Sequence, residues 1–400
     1  MHFYEFEAKR VLAKHGIPTP PGATATTAAE AEKAAAELGG PVYVKAQVLS
    51  RRRSKAGAVE IAATPADAGK AAARLLGIQI GHDKPPCVLV EKKLDVVQEY
   101  CFHVCYDGAA KLPVMTASDL GGRDIDDLAA EQPDHVRRRH YSSLAPVSPY
   151  RAKELLNGLG VASAHLNRAT AVLTALSDIL LRYDLTFAEI NALGRTADGK
   201  FVALDAHLDM EAEGIDRQKA ILSELGISDP DTRGTRPPTA FELEATRIDD
   251  EDPRGIISPV VEFDGDMGLV IGAGGGSITT FDAIRRHGGN PANYVAIGGN
   301  PSVGKAQKLT KLVLSKPGVN KICVISNVVS NTRADLVARG VIKGILEMGK
   351  VPKDTITIFR VPGAWEADAF KILDKYGIEY CDRKVSLSEA AKRAVAKVKA

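Results

Sequence analysis

The chain has almost no net charge: 52 Lys and Arg stand against 50 Asp and Glu, leaving +2 over 400 residues. No global field therefore recruits nucleic acid or a membrane surface. No apolar run reaches spanning length. Met1 is followed by the charged stretch HFYEFEAKRVLAKHG, so no signal peptide is expected. Cysteine is sparse: Cys87, Cys101, Cys105, Cys323 and Cys381. Their spacing fits no zinc pattern and the count is odd. Several lie in apolar runs, which predicts reduced core thiols in a cytoplasmic protein. The apolar fraction of 45% and charged fraction of 26% are those of an ordinary globular protein. The length allows two or three domains with separate cores. Arg51-Arg52-Arg53 and Arg137-Arg138-Arg139 are local basic runs. The plain reading of each is a solvated surface.

The most informative stretch is Asp184 to Asp209. Thr186–Ile190 and Phe201–Leu204 have the apolar pattern of buried strands. Thr196-Ala197-Asp198-Gly199-Lys200 between them reads as a hairpin turn. Glu189 and Asn191 are two apart and share a face. The turn brings Asp205 near that face. One carboxamide oxygen and two carboxylates make an oxygen-rich site with room for water, which suits Mg²⁺. The competing reading is a polar edge hairpin in solvent.

Glu189-Ile190-Asn191 with Leu204-Asp205 resembles the metal-binding hairpin of the succinate–CoA ligase beta subunit. It is equally similar to the matching part of ATP-citrate lyase and citryl-CoA synthetase. The resemblance implies that Asn191 and Asp205 hold the Mg²⁺ of the nucleotide. It makes Glu189 a catalytic carboxylate that meets a phosphohistidine from a partner subunit. The family usually has Pro after the Asn, where this chain has Ala192.

Earlier in the chain, Tyr4–Lys9 and His15–Pro20 are similar to the opening of the same family. A helix is expected over 2–15, then an Ala-rich helix over 27–38. Val42–Val48 reads as a strand carrying Lys45, either a snorkelling edge lysine or, by the resemblance, a phosphate ligand. Residues 50–58, SRRRSKAGA, depart from the family's glycine-rich phosphate loop. Small residues there let backbone N–H groups approach the anion. Here Arg52, Arg53 and Ser54 would bind ATP with side chains instead, or nucleotide binding has weakened. Glu91 and Leu94 match the hinge that contacts adenine and ribose, and Glu99 matches another nucleotide-side carboxylate. For both acids the alternative is a solvated strand end. His103 reads as an ordinary strand residue. Residues 116–141 look loop-like.

The polar stretch 226–256 reads as a linker, with one short helix at 239–247. From 257 strands and helices alternate. Met267–Ile271 runs into Gly272-Ala273-Gly274-Gly275-Gly276-Ser277 and a helix, an anion site by geometry and dipole. No acid follows at the distance a dinucleotide fold requires. The alternation predicts a flavodoxin-like parallel sheet over 257–400, and the resemblance implies an ATP-grasp nucleotide-binding domain over 1–225, the linker, and a CoA-ligase role for that second domain.

The resemblance implies an ADP-forming acid–CoA ligase beta subunit, with ATP and CoA as substrates. The phosphohistidine belongs to a CoA-binding alpha subunit, because the Gly81-His82 here is followed by Asp83-Lys84 and lacks the family context. A hetero-oligomer follows. For the acid, Ile271, Gly274, Gly275 and Gly276 form one loop and Ser330, Asn331 and Thr332 another. Both look like those of citrate-handling relatives, which favours citrate over succinate or malate; alternatively these loops vary without changing the acid. Two rivals stand beside this reading: an ATP-grasp carboxylate–amine ligase, and a non-catalytic nucleotide-binding subunit.

Overall fold

A computed structural model describes residues 1–49, 57–80, 83–228, 233, 237–272 and 274–399. Arg51, Arg52, Arg53, Ser54, Lys55 and Ala56 lie outside the described residues, as do Gly81, His82 and Ala273. The chain divides into two compact units, Met1–Pro237 and Pro238–Ala400. The division falls inside the polar 226–256 stretch.

The first unit opens with helix Glu5–Lys14, whose first turn is closed by Glu7 accepting from the Tyr4 N–H at 2.9 Å. Its first sheet contains β1 (Gly22–Ala25), β2 (Val42–Ala46), β3 (Val59–Ala62) and β4 (Val88–Lys92), all antiparallel, in the order β1-β4-β2-β3. Helices Ala28–Leu38 and Pro65–Gly77 are capped by Thr27 and Thr64. Their alanines pack against Val44 and Val90 of the sheet.

The second sheet contains β5 (Gln98–Asp107), β6 (Leu112–Ser118), β7 (Val136–His140), β8 (Leu185–Arg195), β9 (Phe201–Ala203) and β10 (Ala206–Met210). Its order is β10-β8-β5-β6-β7, with β9 also paired to β8. Helix Ser163–Arg182 buries Leu166, Leu173, Leu176 and Leu180 in one core with Phe102, Val104, Ala188 and Ile190. The opposite face of the sheet is left for polar side chains. The 116–141 stretch is not a loop: it holds parts of β6 and β7 and a helix, Ile125–Glu131, capped by Asp124. The arginine run hid the strand. Arg138 pairs with Asp126 at 3.1 Å and Arg139 with Glu154, so β7 is a charged edge strand that discourages further pairing.

The second unit begins with helix Ala240–Asp250, closed by a Thr239–Glu242 capping box. Its sheet contains β11 (Ile256–Glu262), β12 (Met267–Gly272), β13 (Asn293–Gly298), β14 (Lys321–Ile325) and β15 (Ile356–Arg360) in the order β11-β13-β12-β14-β15. β11 is antiparallel to β13; the other pairings are parallel. The parallel strands thus run second, first, third, fourth, which is the doubly wound order. Leu269 and Ile271 face helices Gly275–Arg286 and Leu387–Lys399. Val270 and Val324 face helices Val303–Ser315, Ala334–Glu347 and Glu366–Lys375. β11 was not anticipated, because Ser258-Pro259 breaks its pattern and much of it is exposed.

Candidate active site

In the first unit β8 is the spine of the site. It pairs with β10 on one side and β5 on the other, which sets His207 and His103 across from Glu189. Opposite residues of antiparallel strands share a face. Cys101 is opposite Asn191, and its thiol lies 4.0 Å from Glu189 Oε2. Burial first, then Glu189 and Asp124, push that thiol well above its usual range. The hairpin extends further than the sequence suggested. After a break at Leu204-Asp205 the chain continues in the same direction as β10 and stays antiparallel to β8.

The Asn191 N–H donates to the Asp205 carbonyl at 3.2 Å, so these two expected metal ligands sit side by side. Asn191 Oδ1 accepts from Gly122 N–H at 2.7 Å and Nδ2 donates to the Arg123 carbonyl at 2.7 Å. The Asn191–Ala192 peptide is cis. The loop before Arg123 comes close to the sheet. A Cβ on Gly121 would lie 2.7 Å from Glu99 Cβ and 2.9 Å from Ala192 Cβ, so only glycine fits. Glu99 is thereby placed beside Asn191. Asp205 Oδ1 accepts from Ala206 N–H at 2.8 Å, and Oδ2 lies 3.7 Å from His207 Nε2. Its side chain is 30% exposed. Among the described residues no group of three or more His, Cys, Asp or Glu could hold a metal. The donor set is one carboxylate and one carboxamide oxygen that retains a second lone pair. That is too few for an all-protein cage, and it fits Mg²⁺, which takes one or two protein ligands with phosphate and water.

Lys45 and Glu91 belong to a buried ion cluster next to this hairpin. Lys45 Nζ contacts Glu5 Oε1 at 2.8 Å, Glu91 Oε2 at 2.9 Å and the Leu204 carbonyl at 2.6 Å. Lys9 Nζ contacts Glu5 Oε1 at 2.8 Å, Glu91 Oε1 at 2.6 Å and the same carbonyl at 2.8 Å. Burial opposes the Lys45 charge, but Glu5, Glu91 and Asp205 outweigh it and raise its pKa. Burial pushes Lys9 down. Two lysines and two glutamates balance each other, and both cations clasp the peptide that precedes Asp205. Lys45 and Glu91, expected at the nucleotide, thus brace the Glu189–Asp205 hairpin. Leu94 is half-buried in the turn after β4. Glu5 and Lys9 escaped the sequence reading. The available signal was the buried stripe Glu5, Ala8, Lys9, Leu12 at helical spacing, a core face carrying two charges.

In the second unit, loops from the carboxyl ends of the parallel strands meet. A Cβ on Gly272 would lie 1.9 Å from Ser326 Oγ, so β12 and β14 touch where they end. Gly274 and Gly275 are exposed at the start of helix Gly275–Arg286. Ser277 Oγ donates to the Gly274 carbonyl at 2.6 Å. Ser330 and Asn331 are exposed beside them on the same sheet edge. Two expected substrate contacts are placed otherwise. Ile271 is fully buried in β12, its side chain in the core. Thr332 is buried, and its hydroxyl oxygen accepts from the Asn300 N–H at 3.3 Å, tying two loops together. The strand alternation that buries Ile271 was readable; the Asn300 contact was not.

These features, an antiparallel two-sheet unit and a doubly wound unit, define an ATP-grasp protein carrying a second α/β unit. The ATP-grasp domain family matches residues 2–195. The chain is 34% identical over 401 residues to the succinate–CoA ligase [GDP-forming] subunit beta of Thermus thermophilus, covering 100% of this chain and 99% of that one. It is 33% identical over 396 residues to the succinate–CoA ligase [ADP-forming] subunit beta of Methanothermobacter thermautotrophicus, covering 99% and 98%. The ATP citrate lyase of Methanothrix soehngenii, solved with citrate and coenzyme A, shares the fold: TM-score 0.67, 18% identity, 99% of each chain. The chain belongs to the succinate–CoA ligase beta-subunit family, a family of ligases. Among the described residues no helix is long and apolar enough to cross a membrane.

Proposed function

We propose that this chain is the nucleotide-binding subunit of an ADP-forming acid–CoA ligase, and that its acid is citrate. The observation that carries the ligase reading is the side-by-side placement of Asn191 and Asp205, with Glu189 on the same sheet face. The γ-phosphoryl of ATP passes to a histidine of a CoA-binding partner and ADP leaves. The phosphoryl then passes to a carboxylate oxygen of the acid, giving an acyl phosphate. The CoA sulfur attacks the acyl carbon and phosphate leaves. Asn191 and Asp205 would hold the nucleotide's Mg²⁺, which when bound supplies charge neutralisation on the transferred phosphoryl. Glu189 orients the partner's imidazole, and Glu99 lies on the nucleotide side.

The second unit receives the acid at its carboxyl edge. Exposed Gly274, Gly275, Ser330 and Asn331 offer amide and side-chain donors for carboxylates and a hydroxyl. Donors that a bound acid desolvates but leaves unpaired would discriminate against one lacking those groups. The names of the full-length relatives favour a second reading, succinate. The test is ADP release by the complex of this chain with its CoA-binding partner, given CoA and citrate, succinate or malate in turn. Preference for citrate supports the first reading. Preference for succinate replaces it and leaves the ligase chemistry standing. No ADP release with any acid sinks both.

A further inference from the structure

The carboxyl edge of the second unit holds a feature that the donor loops do not explain. Trp365 is the single tryptophan of the chain, and it is 53% exposed. An aromatic ring offers a large apolar face to a bound carbon skeleton. Its backbone sits in the left-handed region, φ 60° and ψ 30°, just before helix Glu366–Lys375. A bulky residue there is uncommon, and such strained backbone clusters at functional sites.

Hydrogen bonds fix the backbone that carries the indole, and one cation stacks on its ring. Val329 joins the loops after β14 and β15: its N–H donates to the Pro362 carbonyl at 2.8 Å and its carbonyl accepts from the Ala364 N–H at 2.9 Å. The Gly363 N–H donates to Glu366 Oε2 at 2.7 Å, and Arg383 holds the other oxygen of Glu366 at 2.9 Å. The Arg333 guanidinium lies 3.9 Å from the centre of the indole. Arg333 is itself forked onto the buried carboxylate of Asp335, Nε to Oδ1 at 3.0 Å and Nη2 to Oδ2 at 2.8 Å. That fork uses one edge of the guanidinium. The Nη1 donors stay on the other edge, under the ring. One face of the indole is covered by a cation whose charge is balanced. The rest of the ring is exposed, and Val329 ties its loop to the segment that bears Ser330 and Asn331.

We infer that Trp365 is a specificity-determining wall of the acid subsite, taking the carbon skeleton of a di- or tricarboxylic acid against its ring while the Arg333 edge and neighbouring loop donors take a distal carboxylate. This rests on the acid–CoA ligase reading for the reaction, but acid binding is measurable without it. The wall limits acid length. A longer acid has to displace the ring from the Arg333 guanidinium. Ile278 and Val328 are also exposed on this edge, so a protein partner covering the indole is the competing outcome.

The single tryptophan makes the test direct. Citrate, succinate and acetate are titrated into the purified full chain while Trp emission is followed, with sodium chloride at equal ionic strength as control. A saturable change with citrate or succinate, absent with acetate and with chloride, supports the inference. Trp365→Ala has no such signal, so calorimetry reads its affinity, expected to fall roughly tenfold, with Trp365→Phe keeping most of it. In the complex with the CoA-binding partner, Trp365→Ala is expected to raise relative kcat/KM for glutarate over succinate about tenfold. A structural role alone would lower activity with every acid in proportion and leave that ratio unchanged, which overturns the inference. An emission change that follows only partner addition, with no response to acid, overturns it too and makes the indole an interface residue. Acid binding that responds to Trp365 in a complex showing no ADP release would refute the ligase reading and leave the wall intact.

Discussion

The buried cluster of Glu5, Lys9, Lys45 and Glu91 should be the most sensitive point of the first unit. Glu91→Leu removes one carboxylate and leaves two buried lysines with Glu5 as their one contacting carboxylate and Asp205 nearby. Both Glu91 oxygens are engaged, by Lys9 at 2.6 Å and Lys45 at 2.9 Å, and the residue is buried. Removing one member of a buried ion pair costs roughly 3–5 kcal/mol, because a charge is left uncompensated. For a unit of this size each kcal/mol moves the melting point by about 2–4 °C, so a fall of roughly 10 °C is expected. Adding Lys9→Met to that variant restores charge balance and should recover more than half of the loss. The coupling between the two positions should then be roughly 2 kcal/mol or more. Scanning calorimetry of the full chain, Glu91→Leu, Lys9→Met and the double variant checks this. A fall below about 2 °C for Glu91→Leu, or a double variant no more stable than that single one, would refute the balanced-cluster account.

Three further outcomes are expected. Gly272→Ala drives a methyl into Ser326 Oγ, at 1.9 Å before relaxation; overpacking of about 1–3 kcal/mol should lower the melting point, and adding Ser326→Gly should restore much of it. Four of the five thiols are buried, with Cys87 pushed up to about 11 and Cys323 to about 12 by burial; a thiol reagent at pH 8 should label the native chain slowly and all five thiols after denaturation. In the β8–β9 turn, hydrogen bonds from Lys200 and Thr196 lower Asp198 from 3.8 to about 2. Its contribution to stability is therefore complete above 3.8 and lost as pH falls through about 2, and a carboxyl NMR titration should show a midpoint that rises in Lys200→Ala.

Much of this architecture was legible in the sequence because local pattern and tertiary role agree there. The Glu189–Asp205 hairpin carries its own turn, and the Gly272–Gly276 loop follows an apolar strand. What escaped was decided by partners distant in sequence. Lys45 read as an edge lysine or a phosphate ligand, because nothing local shows that Glu5 and Glu91 converge on it. The 136–140 strand was masked by three arginines that serve as an edge guard. Trp365 sits in a backbone region that propensity does not suggest for tryptophan, and its stack on Arg333 joins two loops 32 residues apart.

The central claim is that Asn191 and Asp205 position a magnesium nucleotide for phosphoryl transfer to a partner's histidine. Labelled ATP with Mg²⁺, this chain and its CoA-binding partner should give a partner phosphoryl group that is stable to alkali and labile to acid. Asp205→Ala should lower the labelling rate about a hundredfold or more, while its circular dichroism spectrum stays that of the parent. Labelling by Asp205→Ala at the parent rate, or acyl-CoA formation by this chain with no partner present, would contradict the account.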